Sequence, residues 1–254
     1  MVETITLCFF AFLAGMIDSI AGGGGLIQLP AMLVILKDAP ITTILGTNKM
    51  VAVTGTIMAT AQYARKLVID WRLVLRMSAV AFVCSFLGAR VVSGIGADDL
   101  RPMIIVLLIA IALYIFFKKD MGATQVARLT PTQQRWIGLL AGGVIGFYDG
   151  FFGPGTGTFL IFIFIAVFGL DFLMASASSK VVNVATNLAA LIYFAFTGQI
   201  LWSLALPMIV FNVGGAVVGS RLAMLKGSKF IRVLFLVVVM GIIVKLSYDT
   251  FWAG

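Results

Sequence analysis

Histidine is absent from the 254-residue chain. With it go the usual general base, the commonest metal ligand and the Ser-His and Cys-His nucleophile pairs. Charge is scarce too, at 11% of residues, where soluble domains carry about a quarter. With 61% of residues in the AVILMFWYC set and a mean hydropathy of +1.13, there is too little polar surface to cover a soluble core. The chain reads as an integral membrane protein. Its two cysteines, Cys8 and Cys84, lie inside apolar runs without zinc or redox spacing, so they read as small buried hydrophobes. The opening MVETITLCFF lacks the basic start of a cleaved signal peptide. No P-loop appears, so the chain itself does not hydrolyse ATP. These absences argue against an enzyme, and no cofactor or metal is expected.

What is present is a series of long apolar runs. They do not alternate apolar and polar as barrel strands do, which leaves helices as the spanning elements. Ten helical segments are expected, at 4–20, 26–36, 42–64, 72–93, 102–117, 134–149, 156–168, 172–197, 203–224 and 230–250. The second and seventh are too short to cross, since a spanning helix needs about 20 residues; they read as half-helices or re-entrant pieces. Basic residues gather in three clusters: Arg65, Lys66, Arg72 and Arg76; Lys118, Lys119, Arg128 and Arg135; Arg221, Lys226, Lys229 and Arg232. Alternating the segments from an outside N-terminus puts all three on the cytoplasmic side, as the positive-inside rule requires. Both termini then lie outside. The net charge of +8 is therefore a topology signal, and with no basic soluble face a nucleic-acid partner is not expected.

Sliding the chain against itself by 131 residues aligns Gly15 with Gly146, Asp18 with Asp149 and Lys49 with Lys180. Trp71 meets Trp202 and Arg90 meets Arg221, all without a gap. A constant offset over this length marks a duplicated unit: residues 1–117, a cytoplasmic linker at 118–131, and residues 132–254. Five segments per copy is an odd number, so the second copy would enter the membrane from the opposite side. The expected fold is an all-α membrane protein of two five-segment inverted-topology repeats, with half-helices after glycine-rich breaks. At the end of the linker, Thr130, Pro131 and Gln133 spell the N-cap, N1 and N3 of a capping box.

In such architectures paired short segments interrupted by glycine point to a binding site near the midplane. Here the pairs are Gly22, Gly23, Gly24 and Gly25 in one copy, and Gly153, Pro154, Gly155, Thr156 and Gly157 in the other. Each can present free N–H groups at a half-helix N-terminus, which is an anion site; close helix packing is the plainer role. Lys49 and Lys180 lie about eight residues, or roughly 12 Å, from the predicted membrane edge, too deep to snorkel easily. Asn48 adjoins the first lysine and Ser179 the second. Lys180, Asn183 and Asn187 share one helix face at i, i+3 and i+7. The lysines either hold an anion or form structural ion pairs with the aspartates. Asp18 and Asp149 sit near segment C-termini, where the helix dipole disfavours negative charge. Capping of the glycine loop is one role for them. Proton coupling is the sharper one, because desolvation favours a neutral carboxyl.

The motifs GMIDSIAGGGGLIQLP, GTNKM, GFYDGFFGPGTGTFL and ASSKVVNVATN together resemble the TauE/SafE family of sulfite exporters and organosulfonate permeases. The resemblance covers essentially the whole chain. It implies transport of sulfite, sulfonates or related anions across a prokaryotic cytoplasmic membrane. Its small-anion theme agrees with the lysines and half-helix N-termini read above. The expected function is a secondary transporter working by alternating access, with a small anionic substrate, the lipid bilayer and a homodimeric assembly as candidate partners. An anion channel and a carrier of small organic carboxylates are the alternatives.

Overall fold

The computed structural model describes residues 2–96, 99, 100, 103, 104, 106, 107 and 130–226. Eight α-helices run through them: α1 (Val2–Ala21), α2 (Gly25–Ile35), α3 (Ile41–Ala64), α4 (Trp71–Val92), α5 (Pro131–Phe151), α6 (Thr156–Ala166), α7 (Phe172–Phe196) and α8 (Trp202–Lys226). This corrects the expectation of ten segments in two five-segment inverted repeats. Among the described residues the helices number four on either side of the junction, so five segments per copy are not found there. Apolarity alone carries the expected segments at 102–117 and 230–250, which lie outside the described residues except for 103, 104, 106 and 107. The expected linker also lies outside them, except for residues 130 and 131.

Where helices were expected within the described residues they form, with ends shifted by up to three residues. The capping box at the start of α5 closes as its sequence predicts: the Thr130 side chain accepts from the Gln133 backbone and the Gln133 side chain accepts from the Thr130 backbone. Helices α1, α4, α7 and residues Trp202–Leu225 of α8 are long and apolar enough to cross a membrane. Large apolar side chains such as Phe9, Val83, Leu140 and Val210 point outward from this bundle. In water that surface would be costly, whereas lipid solvates it. Helices α2 and α6 have 11 residues each. At 1.5 Å per residue each spans about 16 Å, roughly half a ~30 Å hydrocarbon core.

Small residues bring the long helices into backbone contact, the usual way helices associate when lipid removes the hydrophobic drive. Gly15 of α1 lies against the Asn212 backbone of α8, and Gly219 of α8 against Met16 of α1. Gly146 of α5 meets Ala81 of α4 in the same way, and Gly88 of α4 meets Phe147 of α5. Adding 131 to Gly15, Met16, Ala81 and Gly88 gives Gly146, Phe147, Asn212 and Gly219, so one set of contacts occurs twice.

The chain breaks between α1 and α2 through Gly22, at φ +75°, and between α5 and α6 through Gly153 and Gly155, at +98° and +84°. Only glycine adopts this left-handed backbone freely. The two breaks meet: Gly22 packs directly on the backbone of Gly157, leaving no room for a Cβ on either. Breaking a helix inside a membrane frees carbonyls that need partners. Three of them at the end of α1 are supplied by three other helices. Tyr63 Oη of α3 donates to Ser19 O at 2.8 Å, Ser176 Oγ of α7 to Ile20 O at 3.1 Å, and Thr158 Oγ1 of α6 to Ala21 O at 2.8 Å. Gly22→Ala combines overpacking with a disfavoured φ and is expected to cost about 2–4 kcal/mol. Thermal unfolding in detergent measures it, and a wild-type melting point would mean the backbones do not touch.

Candidate functional site

Each aspartate is set one turn before a break, and each lysine lies on a long helix from the other half of the chain. The result is a crossed pair of salt bridges. Lys180 Nζ of α7 reaches Asp18 Oδ2 of α1 at 2.9 Å, and Lys49 Nζ of α3 reaches Asp149 Oδ2 of α5 at 2.9 Å. A negative charge at a helix C-terminus is disfavoured, and here the lysine provides the compensation. Among the described residues neither carboxylate accepts a hydrogen bond from the glycine breaks.

The two pairs have unequal surroundings. Lys180 is fully buried while the Asp18 side chain stays 18% exposed; for Lys49 and Asp149 the values are 3% and 2%. Asp18 Oδ2 also accepts from Thr56 Oγ1 at 3.3 Å. Asp149 Oδ2 has no second donor beside Lys49 Nζ, which lies 2.9 Å away. Beside it, Gly153 leaves the space that the Lys49 ammonium occupies.

Asp18 opens onto a cavity of about 20 Å³, lined by Ala14, Asp18, Gly24, Gly25, Gln28, Asn48, Ala52 and Asn212. A volume of this size holds one water or one oxygen-sized atom. The cavity gathers Asp18, Gly24, Gly25 and Asn48 from the residues expected to form a site, with Lys180 joined to them through Asp18. Asn48 Oδ1 has no hydrogen-bond partner. Lys49 and Asp149 lie at the second break, next to Gly153. Gly155 caps α6, whose first residue, Thr156, donates to Gly153 O at 2.7 Å. Gly23 belongs to the first break, and its carbonyl accepts from Leu26 N at 3.0 Å. Asn183, Asn187 and Ser179 are buried near Lys180 in sequence, yet each bonds to its own helix. Asn187 Nδ2 donates to Asn183 O at 2.8 Å, Asn183 Nδ2 to Thr186 Oγ1 at 3.4 Å and Ser179 Oγ to Ser176 O at 2.8 Å.

Gln28 and Asn212 escape a reading based on internal symmetry. Their counterparts at the 131-residue offset are Phe159 and Ala81, so the repeat hides them. A signal existed in the composition of the half-helix itself: Gln28 is a lone amide inside the apolar run GLIQLPAMLVI.

Membrane-spanning helices, broken helices meeting back to back and salt bridges buried beside the breaks are the features expected of a transporter. The comparisons with known proteins agree. The chain belongs to the family described as sulfite exporter TauE/SafE, whose model matches residues 7–246. It is 41% identical over 240 residues to a probable membrane transporter protein, ORF9, of Sinorhizobium sp., covering 94% of this chain and 90% of that one. It is 38% identical over 248 residues to the probable membrane transporter protein YfcA of Escherichia coli strain K12, covering 96% and 89%. A probable membrane transporter protein of Haemophilus influenzae is 35% identical over 241 residues, covering 95% and 93%. No solved structure matches. By its family and relatives the protein is a multi-pass membrane transporter, not an enzyme.

Proposed function

We propose that the protein is a secondary transporter of a small sulfur-containing anion, sulfite or an organosulfonate, which loads by displacing an aspartate from its lysine. The crossed salt bridges carry this reading. A buried ammonium that is already neutralised can accept an anion only by exchanging one partner for another. At the Lys180 pair the exchange is the easier one, because Asp18 faces a cavity and retains some exposure. The positive end of the α2 dipole starts at that cavity and favours an incoming anion.

The exchange balances as follows. The anion takes the place of the Asp18 carboxylate on Lys180. The released carboxylate lies among buried groups, where a lone negative charge is costly, and it takes one proton from the open side. Anion and proton would then cross together, with access alternating from one side to the other. Sulfur chemistry comes from the family, and small carboxylates fit the same lysine. A channel reading needs a continuous polar path, and a cavity of only about 20 Å³ favours a carrier. Flux of labelled sulfite, a taurine-like sulfonate and a small carboxylate in proteoliposomes tests the proposal. Movement of the carboxylate alone would remove the sulfur anions as substrates.

For orientation we propose that the basic end of the bundle faces the cytoplasm, with both chain termini outside. Arg72 and Arg76 of α4 and Arg135 of α5 line one groove, so residues from two of the basic clusters share an end. In a variant lacking Cys8 and Cys84, a cysteine at Lys66 or Thr132 is expected to resist an impermeant maleimide in intact cells. Labelling from outside would reverse the assignment.

A further inference from the structure

We infer that Gln28 forms an oxygen-binding subsite for the transported anion and that Asn212 holds it in position. The inference rests on the anion-transport reading above and adds to it the group that selects an oxyanion.

The argument starts at a backbone carbonyl. Asn212 Nδ2 lies 3.0 Å from Ala11 O, and a carbonyl can only accept, so this end of the Asn212 amide is the donor. The same nitrogen lies 3.2 Å from Gln28 Oε1. Gln28 must therefore turn its oxygen toward Asn212 and its nitrogen away. Gln28 is 2% exposed and Asn212 is 3% exposed, and Gln28 Nε2 has no partner. Asn212 has no space to swing, because its Oδ1 fills the position that a Cβ would take on Gly55. The chain Ala11–Asn212–Gln28 thus fixes a buried N–H donor whose bond is unmade.

Gln28 and Asn212 both line the cavity that Asp18 opens onto, with Gly24 and Gly25 at the start of α2. The cavity therefore combines an oriented amide donor with a helix N-terminus; the partnerless atom of Asn48 is its oxygen, an acceptor that adds no donor. A volume of about 20 Å³ admits a single oxygen. The ligand presents one oxygen to Gln28 while its charge replaces Asp18 on Lys180. A directional N–H donor suits the lone pair of a sulfite, sulfonate or carboxylate oxygen better than a spherical halide. The second salt bridge lacks this equipment, since Phe159 and Ala81 occupy the matching positions. Among the described residues the subsite therefore occurs once.

A bridging water between Gln28 and Asn48 would satisfy the same two amides, and the test separates the two occupants. The full-length protein in nanodiscs is titrated calorimetrically with sulfite, methanesulfonate, acetate and chloride. Gln28→Met keeps length and loses the donor. It is expected to weaken oxyanion binding about tenfold, the worth of one hydrogen bond to a charged group, while any chloride binding stays unchanged. Gln28→Glu presents acceptors only and is expected to abolish oxyanion binding. Asn212→Ala frees the Gln28 amide to rotate and is expected to narrow the oxyanion-over-chloride preference without eliminating binding, as a positioning residue should. Thermal unfolding of each variant shows that it is folded. Wild-type affinity and selectivity in Gln28→Met would overturn the inference, leave a structural water in the cavity and spare the transport reading. Absence of oxyanion binding by the wild type would overturn both.

Discussion

Lys180→Met is expected to reduce anion transport at least a hundredfold and to destabilise the protein as well. The ammonium is fully buried and holds Asp18 at 2.9 Å. Removing one partner of a buried pair leaves the other charge uncompensated, at about 3–5 kcal/mol. Lost transport in the single variant could therefore report misfolding alone. The double variant Asp18→Asn/Lys180→Met separates the effects, because replacing both partners of a buried pair with neutral groups is often neutral in stability. Recovery of the melting point with transport still absent is the expected result. A double variant that transports normally would make the pair a structural clasp and place the anion elsewhere. Lys180→Arg is expected to rescue poorly, since a planar fork is bulkier than an ammonium.

Asp18→Asn is expected to keep anion exchange across the membrane and to lose net flux driven by a pH gradient. Asparagine matches the carboxylate in size and keeps one acceptor oxygen but cannot take a proton, so the empty carrier returns without its proton linkage. Asp149→Asn is expected to retain gradient-driven flux, because Asp149 is 1% exposed. Sequence alone leaves open which carboxylate lies beside the more polar helix face, the one carrying Lys180, Asn183 and Asn187. The salt bridge places Asp18 there. Exchange and pH-driven flux measured side by side decide the matter. Normal gradient-driven flux in both variants would remove the aspartates from coupling.

Much of the architecture was visible beforehand for physical reasons. Apolar runs locate helices because lipid tolerates little else, and the left-handed glycines mark breaks because other residues pay for that backbone. The duplicated Asp and Lys positions were legible from one constant offset. Their crossed pairing was not: an offset tells which residues correspond, and it contains no information on which copy supplies the partner. The count of helices failed for a related reason, since apolarity shows only that a segment can be buried. Gln28 and Asn212 were missed because symmetry directs attention to what is repeated, and the proposed oxygen subsite lies in what is not. Asn183 and Asn187 show the limit of helical period. Their face was read correctly from the helical period, but period says nothing about whether an amide turns outward or bonds back to its own helix, as both of these do.

The contact of Gly22 with the Gly157 backbone has a mechanical consequence. Two hinges separated by side chains can flex independently, because rotamers between them absorb the motion. Here bare main chain rests on bare main chain, and close-packed interiors transmit displacement with little compression. A swing of the α1–α2 break is passed directly to the α5–α6 break, so the two behave as one axle. The glycines that permit each bend also leave neither bend free to move alone.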